Sequence, residues 1–177
     1  WLPGSLQEDW GLTLIQVGWV GWIPFLFGAV GGVLTSAWSD KMVRKGMDPL
    51  RARKRMMTLV AVAAPLCIFT PYFNALPPYW NVAAIIASFS LIAIMCLSWL
   101  YTICVVIAEA FPVKNVASVV GITAGAGAVG GAVFNIFIGS LLATMGNVLF
   151  AVMGVMHLVT AVILWRMVRH ETPKNVK

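Results

Sequence analysis

Hydrophobic residues dominate five long stretches of this chain, and polar residues gather in the short segments between them. The apolar stretches run from Val17 to Trp38, Met56 to Phe73, Val82 to Ile107, Val116 to Thr144 and Val148 to Val168. Each is at least as long as the roughly 17 residues that an α-helix needs to cross a bilayer, so the pattern predicts five spanning helices. The connections are a long basic loop after Trp38, the uncharged turn NALPPYWN, the link EAFPVKN and the tight turn TMGN. Connections this short predict that successive helices pack as antiparallel neighbours.

Composition agrees with a membrane setting. With 10% charged residues and a mean hydropathy of +0.91, the chain lacks the polar surface that a soluble domain of this size exposes to water. A net charge of +6 would point a soluble protein toward nucleic acid, but here the basic residues act as a topology signal. Seven of the twelve Lys and Arg lie between Lys41 and Arg55, and the others are Lys114, Arg166 and three in the tail. If the first helix descends into the cytoplasm, all twelve fall on that side, as the positive-inside rule requires, and Arg166 snorkels to the headgroups. Anionic lipid is the second reading of the cluster, and no nucleic-acid partner is expected. Cys67, Cys96 and Cys104 lie in apolar runs without paired spacing, which predicts buried free thiols rather than a disulfide or a metal site. The opening WLPGSLQEDW has no basic region ahead of an apolar stretch, so no cleavable signal sequence is expected. It begins without Met, and Trp1 to Leu6 look like the end of an earlier helix, so the sequence reads as part of a longer chain.

Polar residues inside the apolar stretches are the candidate chemistry. In the first span Gly28 and Gly32 form a GxxxG pair and Pro24 sits in the interior; this suits close helix packing, static or moving, and a bend. In the third span, at about 100° per residue, Thr102 lies about 40° and Glu109 about 20° from Ser98, with Trp99 flanking that stripe at about 100°. The stripe describes one wall of a polar pathway. Alternatively, the hydroxyls bond back to the preceding turn and Glu109 marks the water boundary ahead of Pro112. In the Gly-rich fourth span, Asn135 must face protein or a water-filled cavity, as an interhelical hydrogen bond or a substrate contact. Asp40 opens the basic loop and can pair with Arg44 one turn on, or reach the basic residues that begin the next helix, as a latch between conformations.

These segments resemble the C-terminal half of a major facilitator superfamily transporter and, more narrowly, the sugar-acid permeases of the anion:cation symporter family, of hexuronate, galactonate and glucarate type. The resemblance rests on WLP followed by GLTLIQVGWVGWIPFLFGAVGGVLTSAWSD, on RKG and RARK in the basic loop, on FPVKNVASVVGITAGAGAVGG and on MHLVTAVILWRMVRHETP. It implies an all-α membrane protein made of the end of helix 7 plus helices 8 to 12 of a twelve-helix fold, in a bacterial inner membrane, with basic loop and C-terminus cytoplasmic. It implies a gating and loop motif built from Asp40, Arg44, Lys45, Gly46, Arg51, Arg53 and Glu109, with Ser36 standing where that motif has Gly. It places Ser98, Trp99, Thr102 and Asn135 on the cavity-lining helices 10 and 11, where they would touch a hydroxylated carboxylate.

The implied activity is secondary active transport of a sugar acid or related organic anion, with proton symport, by alternating access. No Lys or Arg lies in a helix interior to meet an organic anion near the midplane, and the resemblance places both that cation and the proton-coupling acids in the N-terminal half, the implied partner. The rival reading is a half-bundle that binds another membrane protein without transport. An enzyme is not expected, because His157 and His170 have no nucleophile, base and acid cluster around them. No cofactor or metal is expected.

Overall fold

The computed structural model describes residues 6–7, 11–77, 80–145 and 148–168. Among these residues the chain forms α1 (Leu14–Val20), α2 (Ile23–Arg44), α3 (Pro49–Ala63), a 3-10 helix (Ala64–Ala75), α4 (Trp80–Ala110), α5 (Val113–Met145) and α6 (Val148–Met167). Five segments are long and apolar enough to cross a membrane: Leu14–Arg44, Pro49–Phe73, Trp80–Ala110, Val113–Ile138 and Phe150–Met167.

The first span is broken rather than merely bent. Pro24 has no N–H to give to the carbonyl of Val20, so the ladder is interrupted and α2 restarts with Pro24 in its first turn. Upstream, Thr13 and Gln16 form a capping box that fixes the start of α1. At the other end of α2, Gly46 adopts φ 90°. Its N–H bonds Val43 O at 2.9 Å, and the N–H of Met47 bonds Met42 O at 3.2 Å, the paired closure of a Schellman cap, which needs a residue tolerant of the left-handed region. Asp48 then caps α3, its carboxylate accepting from the Arg51 N–H at 2.9 Å. The reversal between α2 and α3 is therefore encoded residue by residue.

The second span also differs from a uniform α-helix. After Ala63 it tightens into a 3-10 helix containing Pro65 and Pro71, residues that withhold backbone donors from the α pattern. Its first turn lies close against α6, where a side chain on Gly154 would meet Pro65 Cα at 2.9 Å.

The most extensive packing joins α2 to α4, which are not sequence neighbours. They run parallel, since Gly28 faces Ala93, Gly31 faces Ile94 and Gly32 faces Tyr101 in rising order. A Cβ on Gly28 would sit 2.9 Å from Ala93 Cβ and 3.1 Å from its carbonyl carbon; one on Gly31 would sit 2.5 Å from Ile94 Cγ1. The glycines remove side chains so that two backbones can approach, which in lipid supplies the dispersion contacts that hydrophobic exclusion cannot. Sequence adjacency predicts antiparallel pairs, but the small-residue face of α2 selects α4. By contrast α5 makes few contacts, and a side chain added at Gly121, Gly125, Gly127, Gly130 or Gly131 would meet nothing within 4 Å. The connection between α5 and α6 lies outside the described residues.

Gly28→Val should force α2 off α4, because backbone and Cβ atoms of Ala93 cannot rotate away. A loss of roughly 1–3 kcal/mol is expected for such overpacking, read as a lower thermal unfolding midpoint of the detergent-solubilised protein; an unchanged midpoint would mean that the two helices do not meet at Gly28.

Candidate gating site

Asp40, Arg53 and Glu109 come from three different helices and meet at the end of the bundle where α2 and α4 finish. Asp40 lies in the penultimate turn of α2, Arg53 one turn into α3 and Glu109 in the last turn of α4. The Arg53 side chain is only 10% exposed. Its Nη1 contacts Asp40 Oδ1 at 2.5 Å and also donates to the hydroxyl of Ser39, a residue that is fully buried. Its Nε and Nη2 both donate to Glu109 Oε1 at 3.1 Å. One guanidinium thus spreads its donors over two carboxylates and a hydroxyl, an arrangement that suits the planar fork of Arg and not the point charge of Lys.

Of the two partners open to Asp40 on sequence grounds, the structure gives it the one on the next helix. Arg44, one turn along α2, is exposed, as are Lys45, Gly46 and Arg51; these four shape and charge the loop but do not enter the ion-paired cluster. Glu109 pairs with Arg53 as well as standing at the boundary of α4. Its side chain is 23% exposed and that of Asp40 49%, so the pair to Glu109 is the less screened of the two.

The predicted substrate residues do not converge. Ser98 and Thr102 are each 2% exposed and belong to the α4 stripe that runs toward Glu109. The Ser98 hydroxyl donates to Ile94 O at 2.6 Å and accepts from the Thr35 hydroxyl on α2 at 2.8 Å, so back-bonding and an interhelical bond coexist. Trp99 turns the other way, toward α3 and α6, where it packs against the apolar clusters to which Leu50, Met57 and Leu164, and Met56 and Val60, belong. Its ring meets His157 edge to face with centroids 6.0 Å apart, and its indole N–H is buried with no partner among the described residues. Asn135 is exposed on α5, donating back one turn to Gly131 O at 2.9 Å.

Two clefts open at opposite ends, and none of these four residues lines either. One of about 1040 Å3 lies between α1–α2 and α4, at the end away from the basic loop, with Gln16, Ile23, Asn81 and Ser90 in its wall. The other, of about 880 Å3, lies among α3, α4 and α6, with Asp48, Leu50, Ile107, Glu109, Met167 and Val168 in its wall; the end that carries it and the basic loop is termed the inner end, with no side of a membrane implied. Glu109 is therefore shared by the ion-paired cluster and the inner cleft. Sequence reasoning missed Thr35 and Ser39, although with Gly28 and Gly32 they fall at helical spacing on one face of α2, a stripe of small and hydroxylated residues.

The sequence pattern that defines the Major Facilitator Superfamily matches residues 1–177. The chain belongs to that superfamily. This makes it part of a multi-pass integral membrane protein of a family of transporters, not of enzymes. It is similar to the probable L-galactonate transporter of Escherichia coli (strain K12), 44% identical over 54 residues, or 30% of this chain and 12% of that protein. It is similar to the probable galactarate/D-glucarate transporter GarP of the same organism, 35% identical over 74 residues, 42% of this chain and 17% of that protein. The chloroplastic probable anion transporter 6 of Arabidopsis thaliana is 29% identical over 101 residues, 57% of this chain and 20% of that protein. The matched stretches thus span a fifth or less of these relatives. No solved structure matches the chain.

Removing Arg53 leaves two partly exposed carboxylates without their cation, so Arg53→Met should cost about 1–3 kcal/mol, less than for a fully buried pair. Glu109→Gln should cost more than Asp40→Asn, because the partly buried carboxylate is less screened even though its contact to Arg53 is the longer one. Thermal unfolding midpoints of the three variants test that order, and a larger loss for Asp40→Asn than for Glu109→Gln would show that contact distance, not burial, decides.

Proposed function

We propose that this chain is the C-terminal half of a secondary transporter for a sugar acid or related organic anion, moved with protons by alternating access of two helical halves. The observation that carries the reading is the buried Arg53 bridging Asp40 and Glu109. Such a cluster is stable only while α2, α3 and α4 meet, so it holds one end of the bundle closed until all three carboxylate and hydroxyl contacts are surrendered together. The inner cleft beside Glu109 is then the space that changes when the cluster opens. Relatives named for galactonate and for galactarate or D-glucarate support a polyhydroxylated carboxylate as substrate.

The basic end is assigned to the cytoplasm on the distribution of Lys and Arg, in a bacterial inner membrane on the organisms of the bacterial relatives. Within this reading Ser98 and Thr102 set how α2 and α4 slide against each other, while Asn135 retains a polar group to offer a substrate and Trp99, turned into the apolar packing against α3 and α6, would reach one only after a rearrangement. The N-terminal half would supply the cation for the anion and the groups that bind the proton.

Uptake of radiolabelled galactonate and glucarate by cells carrying the intact transporter, with and without a proton gradient, tests the proposal. Uptake that collapses with the gradient is expected, and no uptake of any sugar acid would remove it. Asn135→Ala should leave the protein folded and raise KM by roughly tenfold, the loss of about one hydrogen bond to a charged ligand. An unchanged KM would take Asn135 out of the site.

A further inference from the structure

Lys54, the neighbour of Arg53, is also out of water, at 6% exposed, and the gate as described gives it no part. About 100° further round α3, it faces a different helix. Its Nζ donates to Val168 O at 2.7 Å, immediately beyond the last residue of α6. The carbonyls there are unpaired by the helix and carry the negative end of its dipole. The ammonium also lies 4.6 Å from the centroid of the Trp165 ring, within cation–π range. A closed circuit backs this contact: Trp165 Nε1 donates to the Thr58 hydroxyl at 2.7 Å, and that hydroxyl donates to Lys54 O at 2.8 Å. Beneath it Leu50, Met57, Val106 and Leu164 pack together.

We infer that Lys54 is a positioning residue that ties the end of α6 to α3, so that the two helices move as one body when Arg53 releases Asp40 and Glu109. Separating α6 from α3 would leave a buried ammonium facing apolar side chains, which is more costly than moving both. The two adjacent cations therefore divide the work. Arg53 makes the contact that breaks, and Lys54 the contact that persists. Because the inner cleft lies between α4 on one side and α3 with the end of α6 on the other, joint movement widens it, whereas movement of α3 alone would only reshape one wall.

The inference rests on reading the Arg53 cluster as a gate, and the test separates the two. In a cysteine-free version of the intact transporter, Ile107→Cys places a reporter at a buried position, 6% exposed, in the wall of the inner cleft. A membrane-impermeant maleimide is applied to vesicles of both orientations. Lys54→Met should change the modification rate roughly fivefold or more, Lys54→Arg should restore it, and Arg53→Met with Lys54→Met should go no further than Arg53→Met alone. A parental rate in Lys54→Met, no restoration by Lys54→Arg, or multiplied effects in the double variant would each overturn the inference and leave the gate standing. A parental rate in Arg53→Met would overturn the gate and the inference with it. If Lys54→Met does not accumulate, Trp165→Phe, which breaks the circuit but keeps a ring beneath the ammonium, should shift the rate in the same direction; no shift would overturn the coupling.

Discussion

A guanidinium taken out of water must keep its hydrogen bonds and its counter-charge, and the inner end of this bundle is organised around meeting that demand for Arg53. Neither Asp40 nor Glu109 alone suffices, because each occupies one side of the fork, and Ser39 completes the Asp40 side. The contacts come from the last turns of α2 and α4 and converge on the start of α3. Their meeting fixes the ends of α2, α3 and α4 relative to one another, and with them the wall of the inner cleft. Partial loss is unfavourable because a half-satisfied buried charge is worse than none. A cluster of this kind is therefore either closed or open, which is the property a gate needs.

The rest of the α2–α4 seam is built to hold the two helices at the separation that cluster requires. Gly28, Gly31 and Gly32 set the distance by omission of side chains, and the Thr35–Ser98 hydroxyl pair fixes the register just above Ser39. Packing by small residues and one weak interhelical bond allows sliding at modest cost, since such bonds contribute only about 0.6 kcal/mol on average in a membrane. The strong, all-or-none contact sits at the end of the seam, and the weak, adjustable ones along it.

Much of this was legible in the sequence, and the limits are physical. The number of spans follows from apolar length, but the windows stop short of the helix ends: α3 begins at Pro49 rather than Met56, because Arg51 to Arg55 are helical yet charged and an apolar window cannot see a charged turn at the water boundary. The phase of Ser98, Thr102 and Glu109 on one face is a property of a single helix and could be computed. Which helices that face meets is not: Ser98 meets Thr35 on α2, and Glu109 meets Arg53 on α3. Asp40, Arg53 and Glu109 could each be named from their segments, yet Arg53 and Glu109 are 56 residues apart, and no local periodicity links residues so distant. The pairing of Asp40 with Arg53 rather than Arg44 depends on the Gly46 turn, whose left-handed residue brings α3 back beneath α2.

The charges that the bundle does bury bear on what it can bind. Arg53 is compensated by two carboxylates, and Lys54 is committed to the carbonyl end of α6 and the face of Trp165. A transported anion arriving near the midplane would find neither free, and to recruit either it would have to dismantle the packing that positions it. On the proposed reading this divides labour between halves: the described residues use their buried cations to govern when the pathway opens, and a separate, uncompensated cation elsewhere in the transporter decides what enters it. A gate whose single cation is already held by two carboxylates responds to movement of its helices and is insensitive to which anion passes. Closely related permeases could therefore keep one gate and differ in substrate.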